Sequence, residues 1–387
     1  MIILKDTESL AQFCDSLTGA DFVTVDTEFM RERTYWPELC LVQLGGPDEA
    51  AIVDPLAKGI DLSPLFKLVN DEPVLKVFHA ARQDLEIFHH LTGKIPTPIF
   101  DTQVAGMVCG FGESVGYETL VAKLVKTSVD KSMRFTDWSR RPLSEKQLQY
   151  ALSDVTHLRV AYEKLALKMK PTNRHQWVED EMAILNSPNT YLPPPEDAWR
   201  RIKFRGNRPR FICVLRELAA LRERMARERN VPRNRIMRDD MILDIAARAP
   251  ETADALAQTR SVGRSGLPAA LTSAILEAVA RGKAIPEADC PVVEKKAPLP
   301  HGTGPLMDLL KVLLKMKCEE NGVAQKLVAS SAELEKIAAA PVGKEPDSRV
   351  LTGWRRELFG EDALQLKTGR LALSAKGSAI QIIPLQD

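Results

Sequence analysis

The stretch that most constrains this chain is residues 23–41, V-T-V-D-T-E-F-M-R-E-R-T-Y-W-P-E-L-C-L. It opens as a strand, because Val23 and Val25 alternate with Thr24 and Asp26 and set their apolar side chains on one pleated face. Asp26 and Glu28 follow at i and i+2, and on a strand that spacing puts both carboxylates on the same face. Two carboxylates side by side repel and raise each other's pKa unless positive charge lies between them. A hard divalent cation such as Mg²⁺ or Mn²⁺ suits such oxygen donors. From these residues alone, two solvent-facing acids on an edge strand is an equally good reading.

The surroundings narrow the choice. Residues 2–4, 23–29, 39–44, 51–53, 74–78 and 99–101 read as strands, with helices over 7–17 and about 81–90 and several more after 101. Short connections among the second to fourth strands predict antiparallel neighbours, and the β-α-β that follows predicts a mixed α/β sheet. Sites in open sheets of this kind lie at strand ends, where Asp26 and Glu28 fall. A second acid, Asp84 in H-A-A-R-Q-D-L-E-I-F (79–88), sits in the first turns of a helix. There it either points back over the strand ends or simply favours the positive end of the helix dipole. His79 and Gln83 read as packing or substrate contacts, and Glu86 as solvent-facing.

The third acidic segment is a long helix over 143–168, opened by Ser144 and Gln147 in a capping-box pattern. Tyr150 and Asp154 stand at i and i+4 on one face of it, either as a buried hydrogen-bonded pair or as part of a site. Four carboxylates and a phenol from three segments would be untenable together without cations. Two divalent ions roughly 4 Å apart, activating water and stabilising a leaving oxygen, need this kind of ligand set.

The motifs D-T-E-F (26–29), H-A-A-R-Q-D-L-E (79–86) and Y-A-L-S-D (150–154) resemble those of the ribonuclease D family, in the tyrosine branch of the DEDD exonuclease superfamily. The flanks R-E-R-T-Y-W-P-E-L-C-L-V-Q-L (31–44) and D-K-S-M-R-F-T-D-W-S-R-R-P-L (130–143) agree, so the resemblance covers residues 20–165. It implies a ribonuclease-H-like fold and two-metal, 3′→5′ hydrolysis of RNA, releasing 5′-mononucleotides, with tRNA precursors bearing single-stranded 3′ tails as substrates. It also implies that Asp26, Glu28 and Asp154 hold one Mg²⁺ or Mn²⁺, that Asp26 with Asp84 through water holds the second, and that Tyr150 positions the attacking water. Phe29 would wedge against the terminal bases or else pack in the core, and Arg134, Trp138, Arg140 and Arg141 would clamp phosphates or stack on a base, or else each be an ordinary surface residue.

Beyond this catalytic unit (1–185), residues 186–210 read as a linker, Pro-rich and then strongly basic. That run reads as a local electrostatic footprint which the formal net charge of +1 conceals, or else as a solvated linker face. Residues 211–284 read as all-helical, and F-I-C-V-L-R-E-L (211–218), V-P-R-N-R-I (231–236) and D-D-M-I-L-D-I-A (239–246) resemble the HRDC domain, a small nucleic-acid-binding module. A second linker (285–304) and a second, diverged HRDC-like helical unit (305–387) complete the expectation. The 387 residues and 44% hydrophobic content allow two or three cores. Six scattered cysteines without C-x-x-C spacing point away from zinc and toward a reducing cytoplasm. The N-terminus has no signal-peptide pattern, no run is long enough to span a membrane, and nothing indicates an obligate protein partner. Two rival functions stay open at this stage: a DNA exonuclease of the same superfamily, and a non-catalytic RNA-binding scaffold on a retired nuclease fold.

Overall fold

In a computed structural model, residues 1–385 are described, apart from 131, 173, 264–265 and 292–298. The chain begins β1 (Ile2–Leu4), α1 (Thr7–Leu17), β2 (Phe22–Met30), β3 (Glu38–Gly45), β4 (Ala50–Val53), α2 (Ser63–Asn70), β5 (Leu75–Phe78), α3 (Arg82–Thr92) and β6 (Ile99–Asp101). It continues through α4 (Thr102–Val108), α5 (Tyr117–Leu124), α6 (Glu145–Met169) and α7 (His175–Leu185). The strands form one mixed sheet in the order β1-β4-β3-β2-β5-β6. β2, β3 and β4 are the expected antiparallel meander, and β5 and β6 join β2 in parallel.

The even positions of β2 face α6. The Thr24 hydroxyl donates to the carbonyl of Val155 at 2.9 Å, and the Arg159 guanidinium sits over the Phe22 ring. Gly45, paired with Thr24, lets the helix lie this close, since a Cβ there would fall 2.2 Å from the Thr24 hydroxyl and 3.3 Å from Val155. The odd positions of β2 bury Val23 and Val25 completely in the main core.

A second core is built by α8 (Pro209–Glu228), α9 (Arg233–Ile236), α10 (Asp239–Arg248), α11 (Ala253–Ala257) and α12 (Ala269–Ala284). The 186–210 segment is not a free connector throughout. Ala198, Trp199 and Ile202 are buried in this second core, while Arg200, Arg201, Lys203, Arg205 and Arg208 are exposed. Cys213 and Cys290 form a disulfide between α8 and the segment after α12, where the sequence suggested only separate thiols; Cys14, Cys40, Cys109 and Cys318 are free and buried. Part of the second linker, 292–298, lies outside the described residues.

The C-terminal unit comprises α13 (Thr303–Asn321), α14 (Gln325–Val328), α15 (Ser331–Ala339), α16 (Gly353–Arg355) and α17 (Glu361–Lys367). Its tail, expected within a helical unit, is an antiparallel hairpin, β7 (Leu371–Lys376) with β8 (Ala379–Pro384). Its apolar residues are continuous with the core of the sheet domain: the Ala324 amide donates to the Met107 carbonyl, and Trp354 stacks on Trp177 at 4.2 Å. The architecture is thus the expected ribonuclease-H-like α/β domain with a mixed sheet, followed by helical units.

Candidate active site

Three elements deliver the acids. On β2, Asp26 and Glu28 share the face toward α6, and a register shift between Glu28 and Phe29 bends the strand just past them. On α6, the capping box of Ser144 and Gln147 forms as expected, and the Thr24–Val155 bond pins the helix two turns further on. Asp154 is thereby held over β2, and carboxylate oxygens of Asp26, Glu28 and Asp154 lie within 4.8 Å of one another.

The third element is α3. The chain leaves β5 through Ala80, whose φ of 58° is a left-handed conformation that a non-glycine residue adopts only when its surroundings enforce it. Asp101, at the end of β6, enforces it by accepting the amides of Ala80 and Ala81, each at 2.9 Å. This turn aims the first helical turn at the strand ends. The Thr27 hydroxyl then donates to Asp84 Oδ1 at 2.5 Å.

Burial and mutual repulsion load the cluster electrostatically. Burial pushes Asp26 up to about 7 and, with the Asp26 charge, Asp154 up to about 8, although the neighbouring Tyr150 hydroxyl pulls Asp154 down. Glu28 rises to about 10 through burial and then the charges of Asp26, Asp154 and Asp84, with Arg134 opposing. Asp84 is raised by burial and by Asp26, against the Thr27 hydroxyl. Burial and the Asp154 charge push the Tyr150 phenol well above its usual value. Asp154 Oδ1 is buried without a hydrogen-bond partner. Carboxylates that gather under such a penalty, with an unpaired buried oxygen among them, fit divalent cations.

These groups open on a cleft of about 390 Å³. Phe29, His79, Gln83, Arg134 and Tyr150 line it with Asp26 and Asp84. Phe29 also packs against the main core, and His79 Nδ1 bonds the Thr102 hydroxyl while its Nε2 is buried without a partner. Trp138 is a correction. It is 2% exposed, packed with Cys40, Leu41, Ile52 and Ala151, its ring 6.0 Å from that of Tyr150. It supports the tyrosine from below and has no face free for a base. Arg141 is likewise committed, to Asp54 and the Cys40 carbonyl, whereas Arg140 is exposed. Glu86 is not solvent-facing but in a two-bond ion pair with Arg31.

Thr27, Tyr117 and Gln103 are among the cleft residues that escaped the sequence reading. Thr27 hides between the two acids, and its alternate position on the strand is its only signal. Tyr117, whose hydroxyl donates to the Asp154 carbonyl at 2.5 Å, and Gln103, which donates to the Val115 carbonyl, carry no signal of spacing.

With this geometry in place, comparisons with known proteins are informative. Residues 1–170 match the 3′-5′ exonuclease family model, and residues 213–279 match the HRDC domain model. The ribonuclease D of Gluconacetobacter diazotrophicus is 49% identical over 99% of this chain and 97% of its own length. That of Jannaschia sp. is 48% identical over 98% of both chains. The crystal structure of Escherichia coli RNase D superposes with a TM-score of 0.76, at 29% identity, over 95% of this chain and 98% of that one. Likeness that runs the full length of such relatives, through both the acid-bearing sheet and the helical module, leaves one conclusion: the chain belongs to the ribonuclease D family and is a 3′-5′ exoribonuclease.

Proposed function

We propose that Asp26, Glu28, Asp84 and Asp154 hold two divalent cations, Mg²⁺ or Mn²⁺, beside Tyr150, and that the chain trims single-stranded 3′ tails of tRNA precursors in the cytoplasm. The observation that carries the first part is the convergence of Asp26, Glu28 and Asp154 oxygens within 4.8 Å, in surroundings that penalise their charge. Bound there, the cations would supply an activated water and charge stabilisation at the leaving 3′ oxygen.

The protein's own groups do the rest. Asp26, Glu28 and Asp154 would hold one cation, and Asp26 together with Asp84, which is fixed by the Thr27 hydroxyl and would act through water, would hold the other. The Tyr150 phenol, raised by burial and by Asp154, keeps its proton and orients the attacking water as a hydrogen-bonding group rather than taking its proton. Phe29 stacks against the terminal base, a contact that tolerates any sequence. Arg134 at the cleft offers a cation to the phosphate, and His79 and Gln83, which also line it, offer hydrogen bonds.

The substrate class rests on likeness: the E. coli relative is described as acting in structured RNA processing. The exposed basic run at 200–208 gives such an RNA a place to lie. Among the described residues no helix is long and apolar enough to cross a membrane. The retired-scaffold alternative is disfavoured by an intact set of four acids and tyrosine. The test uses 5′-labelled tRNA precursor with a 3′ tail beside an unstructured RNA of the same tail sequence, in Mg²⁺, Mn²⁺ or EDTA. The expected result is a one-nucleotide ladder that stops at the mature end, lost in EDTA and in Asp154→Asn. Degradation of the unstructured RNA with no action on the precursor tail would overturn the tRNA assignment.

A further inference from the structure

Gln43 is a wholly buried side chain whose amide nitrogen and oxygen both lack a hydrogen-bond partner. A buried primary amide normally satisfies these atoms, and leaving them unpaired is costly. Its position shows what the amide is for. In the β2–β3 ladder Gln43 stands directly opposite Asp26, so the two side chains rise from the same face with their Cβ atoms about 5 Å apart.

The other groups on that face cannot serve it. Leu41 and Gly45, its neighbours along β3, and Ile52, its partner on β4, are apolar. From α6, the buried side chains of Ala151 and Val155 offer only hydrocarbon. The Thr24 hydroxyl gives its proton to the carbonyls of Val155 and Gly45, so it has none for the amide oxygen, and it accepts no bond from the amide nitrogen. Among the described residues the acceptors that remain on that face are the carboxylates of Asp26, directly opposite, and of Glu28 and Asp154 beyond it; the unpaired Trp138 indole N–H, packed against Leu41 and Ile52, is a donor and cannot serve the amide nitrogen.

We propose that Gln43 is a positioning residue of the active site: its amide N–H, unpaired here although Asp26 stands directly opposite, is the donor that takes up the Asp26 carboxylate and fixes its orientation when Asp26 is ionised and holds cations. Charge fixes the direction, because the amide oxygen is an acceptor and cannot face an ionised carboxylate, whereas the nitrogen is a donor. A carboxylate that binds a metal is itself normally held by an outer hydrogen bond, and loss of such a partner typically costs 10- to 100-fold in metal affinity or activity. The proposal rests on the cation reading of the Asp26–Glu28–Asp154 cluster.

The test is Gln43→Met, which keeps the unbranched length and removes the donor, with Gln43→Leu as a second apolar replacement. Mn²⁺ binding is measured by titration followed by electron paramagnetic resonance of the free ion. Thermal melting is recorded in EDTA, and kcat and KM are measured on a short RNA. The expected result is Mn²⁺ affinity weaker by about 10- to 100-fold, kcat lower with KM for RNA held, and a metal-free melting temperature equal to or above wild type, since two unpaired atoms leave the interior. A merely structural amide gives the reverse pattern, a lower melting temperature with wild-type Mn²⁺ affinity and kcat, and that overturns the proposal. Wild type that binds no Mn²⁺ overturns the cation reading itself and Gln43's role with it. Wild type that binds while both variants bind equally well overturns the role of Gln43 alone.

Discussion

At the scale of single residues, the site is a set of acids that the metal-free protein tolerates poorly. Folded, Asp26 rises from 3.8 to about 7, Asp154 from 3.8 to about 8 and Glu28 from 4.5 to about 10, each first through burial. Above the ordinary carboxylate range the native state therefore holds more protons than the unfolded one, and stability falls as pH rises. In EDTA, the melting temperature should decline steadily from about pH 4 to about pH 8, and saturating Mg²⁺ should flatten that slope. A melting temperature in EDTA that rises over this interval would contradict the burial of these charges. Asp154→Asn should lower kcat by about 10³-fold, several kcal/mol of transition-state stabilisation, while leaving the metal-free melting temperature unchanged or higher. Steady-state kinetics beside calorimetry separates the two effects. The five residues Asp26, Glu28, Asp84, Tyr150 and Asp154 were legible in the sequence because strand and helix spacing set their faces and three motifs repeat a family's order. Trp138 misled because burial is not written locally: a tryptophan followed by two arginines looks like a binding platform until Cys40, Leu41, Ile52 and Ala151 close over it.

At the scale of elements, strands and helices do the aiming. The long α6 helix was readable from Ser144, Gln147 and its apolar stripe, and begins within two residues of where the sequence put it. The second-to-fourth-strand meander was readable from alternation and short loops. The turn between β5 and α3 was not, since Ala80 has no residue-type signature for a left-handed backbone and is held there by Asp101, twenty-one positions away. Asp101 is 3% exposed and accepts the amides of Ala80, Ala81 and Gln103. Asp101→Ala should therefore cost about 3 kcal/mol of stability and lower activity further by releasing Asp84. Chemical denaturation would show the first effect, and kcat on RNA under folding conditions the second. A variant with wild-type kcat would mean that α3 is aimed by something other than this turn.

At the scale of the whole molecule, the helical units are fastened to the catalytic domain at two places that the sequence did not reveal. The loop after β2 inserts Tyr35 against the HRDC region. The Tyr35 hydroxyl donates to buried Glu223 at 2.5 Å, Arg227 and Arg233 pair with the same carboxylate, and Asn230 accepts the amides of Tyr35 and Trp36. Against burial, which alone would raise it, the Arg233 and Tyr35 bonds and the arginine charges draw Glu223 down to about 2. On the other side, Arg355 pairs with Glu181 beside the Trp177–Trp354 stack. Residues 31–36 follow the end of β2 directly, so the HRDC region braces the strand that carries Asp26 and Glu28. Breaking this buried pairing by Glu223→Ala leaves two arginines uncompensated and should cost about 3–5 kcal/mol, against about 1 kcal/mol for Tyr35→Phe. Limited proteolysis near residue 190 would report the loosened domain, and equal protection of both variants and wild type would contradict the brace. Such contacts join segments nearly two hundred residues apart, which no local spacing encodes.

The most direct test of a cation pair at the Asp26–Glu28–Asp154 cluster replaces a non-bridging oxygen of the terminal RNA phosphodiester with sulfur, one stereoisomer at a time. Sulfur is a poor ligand for Mg²⁺ and a better one for softer ions. If the acids hold cations against the scissile phosphate, one isomer should be cut far more slowly than oxygen in Mg²⁺ and should recover in Mn²⁺, with no recovery in Asp154→Asn. An equal sulfur effect in both ions, for both isomers, would contradict cation contact with the reacting phosphate.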